Sequence, residues 1–218
     1  MVFFSLGLKK VPSSPTLRQR LDQGALHNQW NSIIRSENMN LLRRSQTTIT
    51  ALKVDAKEYV PLDIDVSPFD NSGTKKQGIS WTYKGFEGYS PIFAYLGREG
   101  YGVNVELREG KTHSQNGAVS FLAETIRLSK RATDQSLLIR MDSGHDSRDN
   151  LALCIQNGVD CIIKRNLRRE NPALFLEYAK SRGIKPESER YGKTVYRFVK
   201  SVNVTVEKKK YTVRWFIL

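Results

Sequence analysis

The stretch Tyr-Val-Pro-Leu-Asp-Ile-Asp-Val-Ser, at residues 59–67, constrains this chain more than any other. Two carboxylates, Asp63 and Asp65, stand two apart among apolar and β-branched neighbours. In a strand, residues i and i+2 face the same side. Both acids therefore project from one face, while Leu62, Ile64 and Val66 fill the other. A core strand does not carry two desolvated acids without partners. The usual partner of clustered carboxylates is a divalent cation that prefers hard oxygen ligands. The competing reading is a strand end whose acids point into water.

Charge narrows the class of partner. Lys and Arg number 35 against 22 acids, a net charge of +13. An excess of that size points to a polyanion, nucleic acid before an anionic membrane. No apolar run approaches the roughly 18 residues a membrane helix needs. Residues 2–8 are apolar but lack the basic start and the cleavage site of a signal peptide. Cys154 and Cys161 stand in apolar runs without histidine at zinc spacing, which reads as buried reduced thiols and a reducing, cytoplasmic setting.

The hydrophobic period places the elements. A helix is expected over residues 17–23, capped by Thr16 and ended by Gly24, and another over 27–45. This basic helical opening suits either DNA contact or a lid on the domain after it. From residue 59 the period becomes that of strands. Strands are expected over 59–67, 79–83, 91–96 and 103–107, the last two joined by the turn Gly97-Arg98-Glu99-Gly100. A helix over 115–131 buries Val119, Leu122, Ala123, Ile126 and Leu128. Next come a strand over 136–141, a helix over 147–157 closed by Gly158, a strand over 159–163 and a helix over 172–181. Residues 194–206 and 211–218 again read as β. Hairpins succeeded by alternating helices and strands give a mixed α/β sheet. The organisation expected is a helical basic segment over 1–55, an α/β domain over 56–185 and a β-rich segment over 186–218.

A second acid gives the first its meaning. Asp142 ends the strand Ser-Leu-Leu-Ile-Arg-Met and precedes Ser143 and Gly144. Alone it reads as a helix-initiating cap. In α/β sheets, however, sites form outside the carboxyl ends of the strands. If the strands of Asp65 and Asp142 are adjacent, the two can share a divalent metal, and a basic chain then implies phosphoryl transfer on a nucleic-acid phosphodiester. Asp63 is the second choice as first ligand, or supports the site from behind the ligands. His113 and His145 flank the site, to contact DNA or to orient it. Arg108 and Arg140 either hold phosphates or end their strands in solvent. Lys75, Lys76, Lys164, Arg165, Arg168 and Arg169 form the candidate DNA surface.

Four stretches in this order, L-D-I-D-V-S, Y-K-G-F-E-G-Y-S-P-I, E-L-R-E-G-K-T-H-S and L-I-R-M-D-S-G-H-D, resemble the DDE transposases of bacterial insertion sequences. The resemblance runs over residues 11–166. It implies a ribonuclease-H-like catalytic domain, with Asp65 in the position of the first acid and Asp142 in that of the second. It implies Mg²⁺, with Mn²⁺ as the alternative ion, and DNA cleavage and strand transfer at the terminal inverted repeats. The same likeness implies a homodimer of the full-length protein and a place at the bacterial nucleoid.

The third acid of that family, a glutamate within a Tyr-Arg-Glu-Lys signature, has no counterpart here. Tyr211 and Arg214 have the spacing of its first two residues, but Leu218 stands where the glutamate belongs, and Glu170, Glu177, Glu187 and Glu189 lack the signature. The apolar end at residues 211–218 needs a partner strand. The expectation is an interrupted gene whose missing glutamate is encoded downstream. Three functions stay open: a transposase, a DNA-binding remnant without catalysis, and a stand-alone nuclease that nicks generic duplex.

Overall fold

The computed structural model describes residues 11–27, 29–168, 170–190, 193–206 and 208–217. The expectations for residues 2–8, Arg169 and Leu218 lie outside the described residues. Two helices, α1 (Ser14–Leu26) and α2 (Trp30–Arg44), come first. The main sheet holds β1 (Leu52–Val54), β2 (Lys57–Val66), β6 (Ile92–Leu96), β7 (Tyr101–Glu106), β8 (Leu137–Met141) and β9 (Asp160–Ile163). Its order is β7-β6-β2-β8-β9, with β1 paired to β2. β2, β6 and β7 run antiparallel in turn, whereas β8 and β9 are parallel to β2. A parallel neighbour needs a crossover, and α3 (Ala118–Ala132) and α4 (Arg148–Gln156) supply the two.

The alternation in β2 is what the sequence predicts. Leu62, Ile64 and Val66 are buried, Asp65 is exposed and Asp63 is half-buried. The buried set packs with Phe121, Leu122, Ile126 and Leu128 of α3 and with Met39 of α2. Each such aliphatic side chain contributes roughly 1.5–3 kcal/mol. The acid face therefore lies opposite the core. α2 joins the same core as the sheet through Met39, and residues 52–54 pair with 57–59 across a tight turn at Asp55.

Several expectations are corrected. Gly24 does not end α1; it lies inside the helix, and an added Cβ would meet the Trp30 indole at 2.3 Å. The cap is Ser13, whose Oγ accepts from the Thr16 amide at 3.4 Å. Residues 79–83 do not enter the main sheet. They supply only β4 (Ser80–Trp81), which with β3 (Phe69–Asp70) and β5 (Glu87–Tyr89) forms a small sheet. The chain turns back at Thr82 and Gly85, and Trp81 stays exposed, so this segment buries too little to compete for the core. In α3, Phe121 and Thr125 are buried while Val119 and Ala123 face outward. Asn104 donates to the buried Thr125 hydroxyl at 2.9 Å, and this polar pair sets the rotation of the helix.

After α5 (Ala173–Ser181) come two hairpins, β10 (Ser188–Arg190) with β11 (Lys193–Val195) and β12 (Phe198–Val206) with β13 (Lys209–Ile217). The apolar end, expected to need a partner strand, pairs with β12 as far as Ile217. Trp215 meets Phe175 of α5 edge-on, with ring centroids 6.3 Å apart.

Candidate active site

The site arises from the register of two parallel strands. Ile64 of β2 is level with Met141 of β8. One residue further on, at the carboxyl ends of both strands, come Asp65 and Asp142. Both are exposed. Asp65 is also level with Phe93 of β6, so the acid stands mid-sheet between an aromatic strand and β8.

Asp65 is held through both oxygens and Asp142 through Oδ1. Asp65 Oδ1 accepts from the Val66 amide at 2.8 Å, and the Ser67 hydroxyl stands 3.4 Å from Oδ2. Asp142 caps a 3₁₀ turn at Ser143–His145: its Oδ1 accepts from the Gly144 amide at 3.0 Å and pairs with His145 Nδ1 at 2.9 Å. Asp142 is therefore a cap, as one of its two sequence readings has it. The segment after β7 closes one side. Ser114 packs against Gly144, and Gln115 Nε2 donates to the Asp146 carbonyl at 3.1 Å.

Tyr83, which the sequence reading did not single out, reaches this corner from the small sheet. Its hydroxyl donates to the Val66 carbonyl at 3.1 Å. Partial burial raises its pKa, and the charges of Asp65 and Asp142 raise it further. The phenol thus feels both acids at once. Tyr83 opens the stretch Y-K-G-F-E-G-Y-S-P-I, a motif that does not by itself say where the hydroxyl lies.

The other candidates separate. Arg140 donates from Nε and Nη2 to the two oxygens of Asp63 at 2.5 and 2.6 Å, which takes Asp63 out of the metal-ligand set. Arg108 is a correction. Only 6% exposed, it pairs with Glu106 at 2.8 Å and lies over the Phe121 ring, and its terminal nitrogens are buried, so it presents nothing to a phosphate. Arg165 is absorbed by Asp146 at 2.6 Å, by Glu170 and by the Trp215 ring. Lys75, Lys76, His113, Lys164 and Arg168 are exposed. His145 is buried, so it touches the site only from below.

Two exposed carboxylates suit Mg²⁺, which is held by one or two carboxylates and keeps several waters. Asp65 and Asp142 are the residues that fit such an ion. Among the described residues no group of three or more His, Cys, Asp or Glu could hold a metal. Asp146, the next acid after Asp142, is occupied by Arg165 and the Asn166 amide. Cys154 is buried against Cys161, and the thiol contact and burial raise its pKa.

Three antiparallel strands continued by two parallel ones, with acids at the carboxyl ends of the central pair, define a ribonuclease-H-like α/β core. The chain belongs to the family Transposase DDE domain group 1, whose model matches residues 5–201. Among solved structures it is similar to a piggyBac transposase synaptic complex with hairpin DNA, at 16% identity over 67% of this chain and 28% of that one, with a TM-score of 0.38. It is also similar to the Mos1 transposase paired-end complex with left transposon end, at 13% identity over 67% of this chain and 52% of that one, with a TM-score of 0.32. The chain thus spans about a quarter and about half of those two proteins. No curated protein matches it.

Proposed function

We propose that this chain carries the catalytic core of a transposase that cleaves DNA and transfers its strands, acting at the terminal inverted repeats of an insertion sequence. The observation that supports this most is the β2–β8 register, which sets Asp65 beside Asp142. In this reading the two acids hold Mg²⁺, or Mn²⁺ in its place. An ion held there would supply Lewis-acid charge to the phosphodiester and would make water, and later a 3′-hydroxyl, a better nucleophile. Asp65 and Asp142 fix where the scissile phosphate sits. Lys75, Lys76, Lys164 and Arg168 neutralise flanking phosphates, and His113, exposed beside the loop over the site, contacts the same strand. The division at 1–55, 56–185 and 186–218 stands within this proposal, with α2 docked on the core. So do the homodimer of the whole protein and its action on the bacterial nucleoid.

A second reading, DNA binding without cleavage, is favoured by one observation: no third carboxylate joins the pair among the described residues. Incubation with a supercoiled plasmid bearing the inverted repeats, in Mg²⁺ or Mn²⁺, separates the two. Nicking at the repeats that is lost in Asp65→Ala and Asp142→Ala supports the transposase. A mobility shift with no nicking supports the binding reading. Equal nicking of plasmid without repeats points to a general nuclease and overturns the first.

A further inference from the structure

We propose that His145 is a positioning residue, which locks the Asp142 carboxylate in a single orientation with Oδ1 occupied and Oδ2 left for a divalent cation. The proposal rests on Asp142 being a metal ligand. Three observations carry it. His145 is only 1% exposed, although it comes three residues after the candidate ligand. Its Nδ1 lies 2.9 Å from Asp142 Oδ1, and its Nε2 is buried with no partner among the described residues. Its own carbonyl accepts from the Asn150 side chain at 2.8 Å, and Asn150 is buried in α4.

These facts eliminate the other roles for an imidazole. A nitrogen sealed from solvent cannot touch DNA, and of the two ring nitrogens Nδ1 is engaged by Asp142 and Nε2 is buried. A carboxylate can only accept, so Nδ1 carries the proton of this bond. Nε2 is left buried with no partner among the described residues. Burying it without a partner is unfavourable, and the fold tolerates that to place one donor under Asp142. Gly144 is part of the same lock: its amide supplies the second donor to Oδ1, and a Cβ there would stand 3.1 Å from that oxygen. Asn150 holds the turn from the helix side through the His145 carbonyl. A carboxylate fixed in advance loses less freedom when the ion arrives. Outer hydrogen bonds of this kind typically change metal affinity by about 10–100-fold when removed.

The test measures Mn²⁺ affinity of the full chain by electron paramagnetic resonance of the free ion, with thermal unfolding alongside. His145→Asn puts an amide N–H where Nδ1 stands; His145→Gln puts it where Nε2 stands, out of reach of Asp142. The expected result is His145→Asn within about threefold of the parent and His145→Gln weaker by about 10–100-fold, the scale of a lost outer-shell partner. His145→Ala, if folded, should match His145→Gln. The proposal is overturned if the Asn and Gln variants bind Mn²⁺ equally, whatever their melting temperatures, since that is the outcome of a purely structural histidine. Asp65→Ala and Asp142→Ala test the reading beneath it. If the parent binds no Mn²⁺, or those variants bind as the parent does, the ligand assignment fails and the proposal with it. If they lose binding while His145→Gln does not, the histidine proposal alone fails.

Discussion

Asp63 and Arg140 lie level with one another across the parallel strands β2 and β8 and share a two-point ion pair. The motif Asp-Ile-Asp therefore holds two acids of opposite character on one face. One is neutralised by its neighbour strand. The other stands one residue past the last β2–β8 pair, as Asp142 does on β8.

That difference predicts how the two acids respond to removal. Asp63→Asn should cost about 1 kcal/mol or less, because the pair is part-exposed and screened. It should leave Mn²⁺ binding unchanged. Asp65→Asn should leave the urea midpoint near the parent value and abolish Mn²⁺ binding. Loss of binding in Asp63→Asn with retention in Asp65→Asn would reverse the assignment.

Gly144→Ala tests the room at the site. The added Cβ would stand 3.0 Å from Ser114 Oγ and 3.1 Å from Asp142 Oδ1, so one of the two must shift. The expected result is a modest loss of stability, about 1 kcal/mol as for mild overpacking. Mn²⁺ affinity should fall at least tenfold. Ser114→Gly in the same chain gives the methyl space and should restore part of that affinity.

Tyr83 reports on both acids. Its pKa lies above the ordinary value of 10.0, through burial and then through Asp65 and Asp142. A phenol whose folded pKa is raised adds stability that is present below its unfolded pKa. That stability is lost as pH rises through the folded pKa, on the alkaline side of 10.0. Carbon-13 NMR of labelled tyrosine, assigned with Tyr83→Phe, should show its titration moving down in Asp65→Asn and again in Asp142→Asn. No movement in either would separate Tyr83 from the carboxylates.

The basic surface divides by whether its cations are already engaged. Replacing Lys75, Lys76 or Lys164 with Ala should each lower the salt dependence of DNA binding by about one unit of slope. Arg165→Ala should leave that slope unchanged and cost about 1 kcal/mol, since its guanidinium bridges Asp146 and Glu170 at the surface. A gel-shift series across salt concentrations reads both. An Arg165 effect on slope equal to that of the lysines would show that its ion pairs open for DNA.

Gly24→Val should disturb the opening helices. Its side chain would displace Trp30, whose Nε1 donates to the Leu21 carbonyl at 2.7 Å. The expected cost is about 1–3 kcal/mol, with a red shift in tryptophan emission as the indole is freed.

The sequence by itself determined which face of β2 is acidic, because side-chain direction alternates with every residue and needs no distant partner. It determined the long helices, the hairpin of β6 and β7 and the strand that ends at Asp142, since each has a strong local period bounded by turn residues. Four ordered motifs were enough to point to the family. Only the tertiary structure decided which acid-bearing strands lie side by side. Adjacency of β2 and β8 is a long-range pairing across which no local pattern runs. The same holds for the burial of Arg108, the neutralisation of Asp63 by Arg140 and the sealing of His145 under Asp142. A charged or polar side chain reads alike in sequence whether it faces water or a partner brought from another strand. Residues 79–83 show the converse, a β-like period that failed to join the main sheet because the core offered it nothing to bury against.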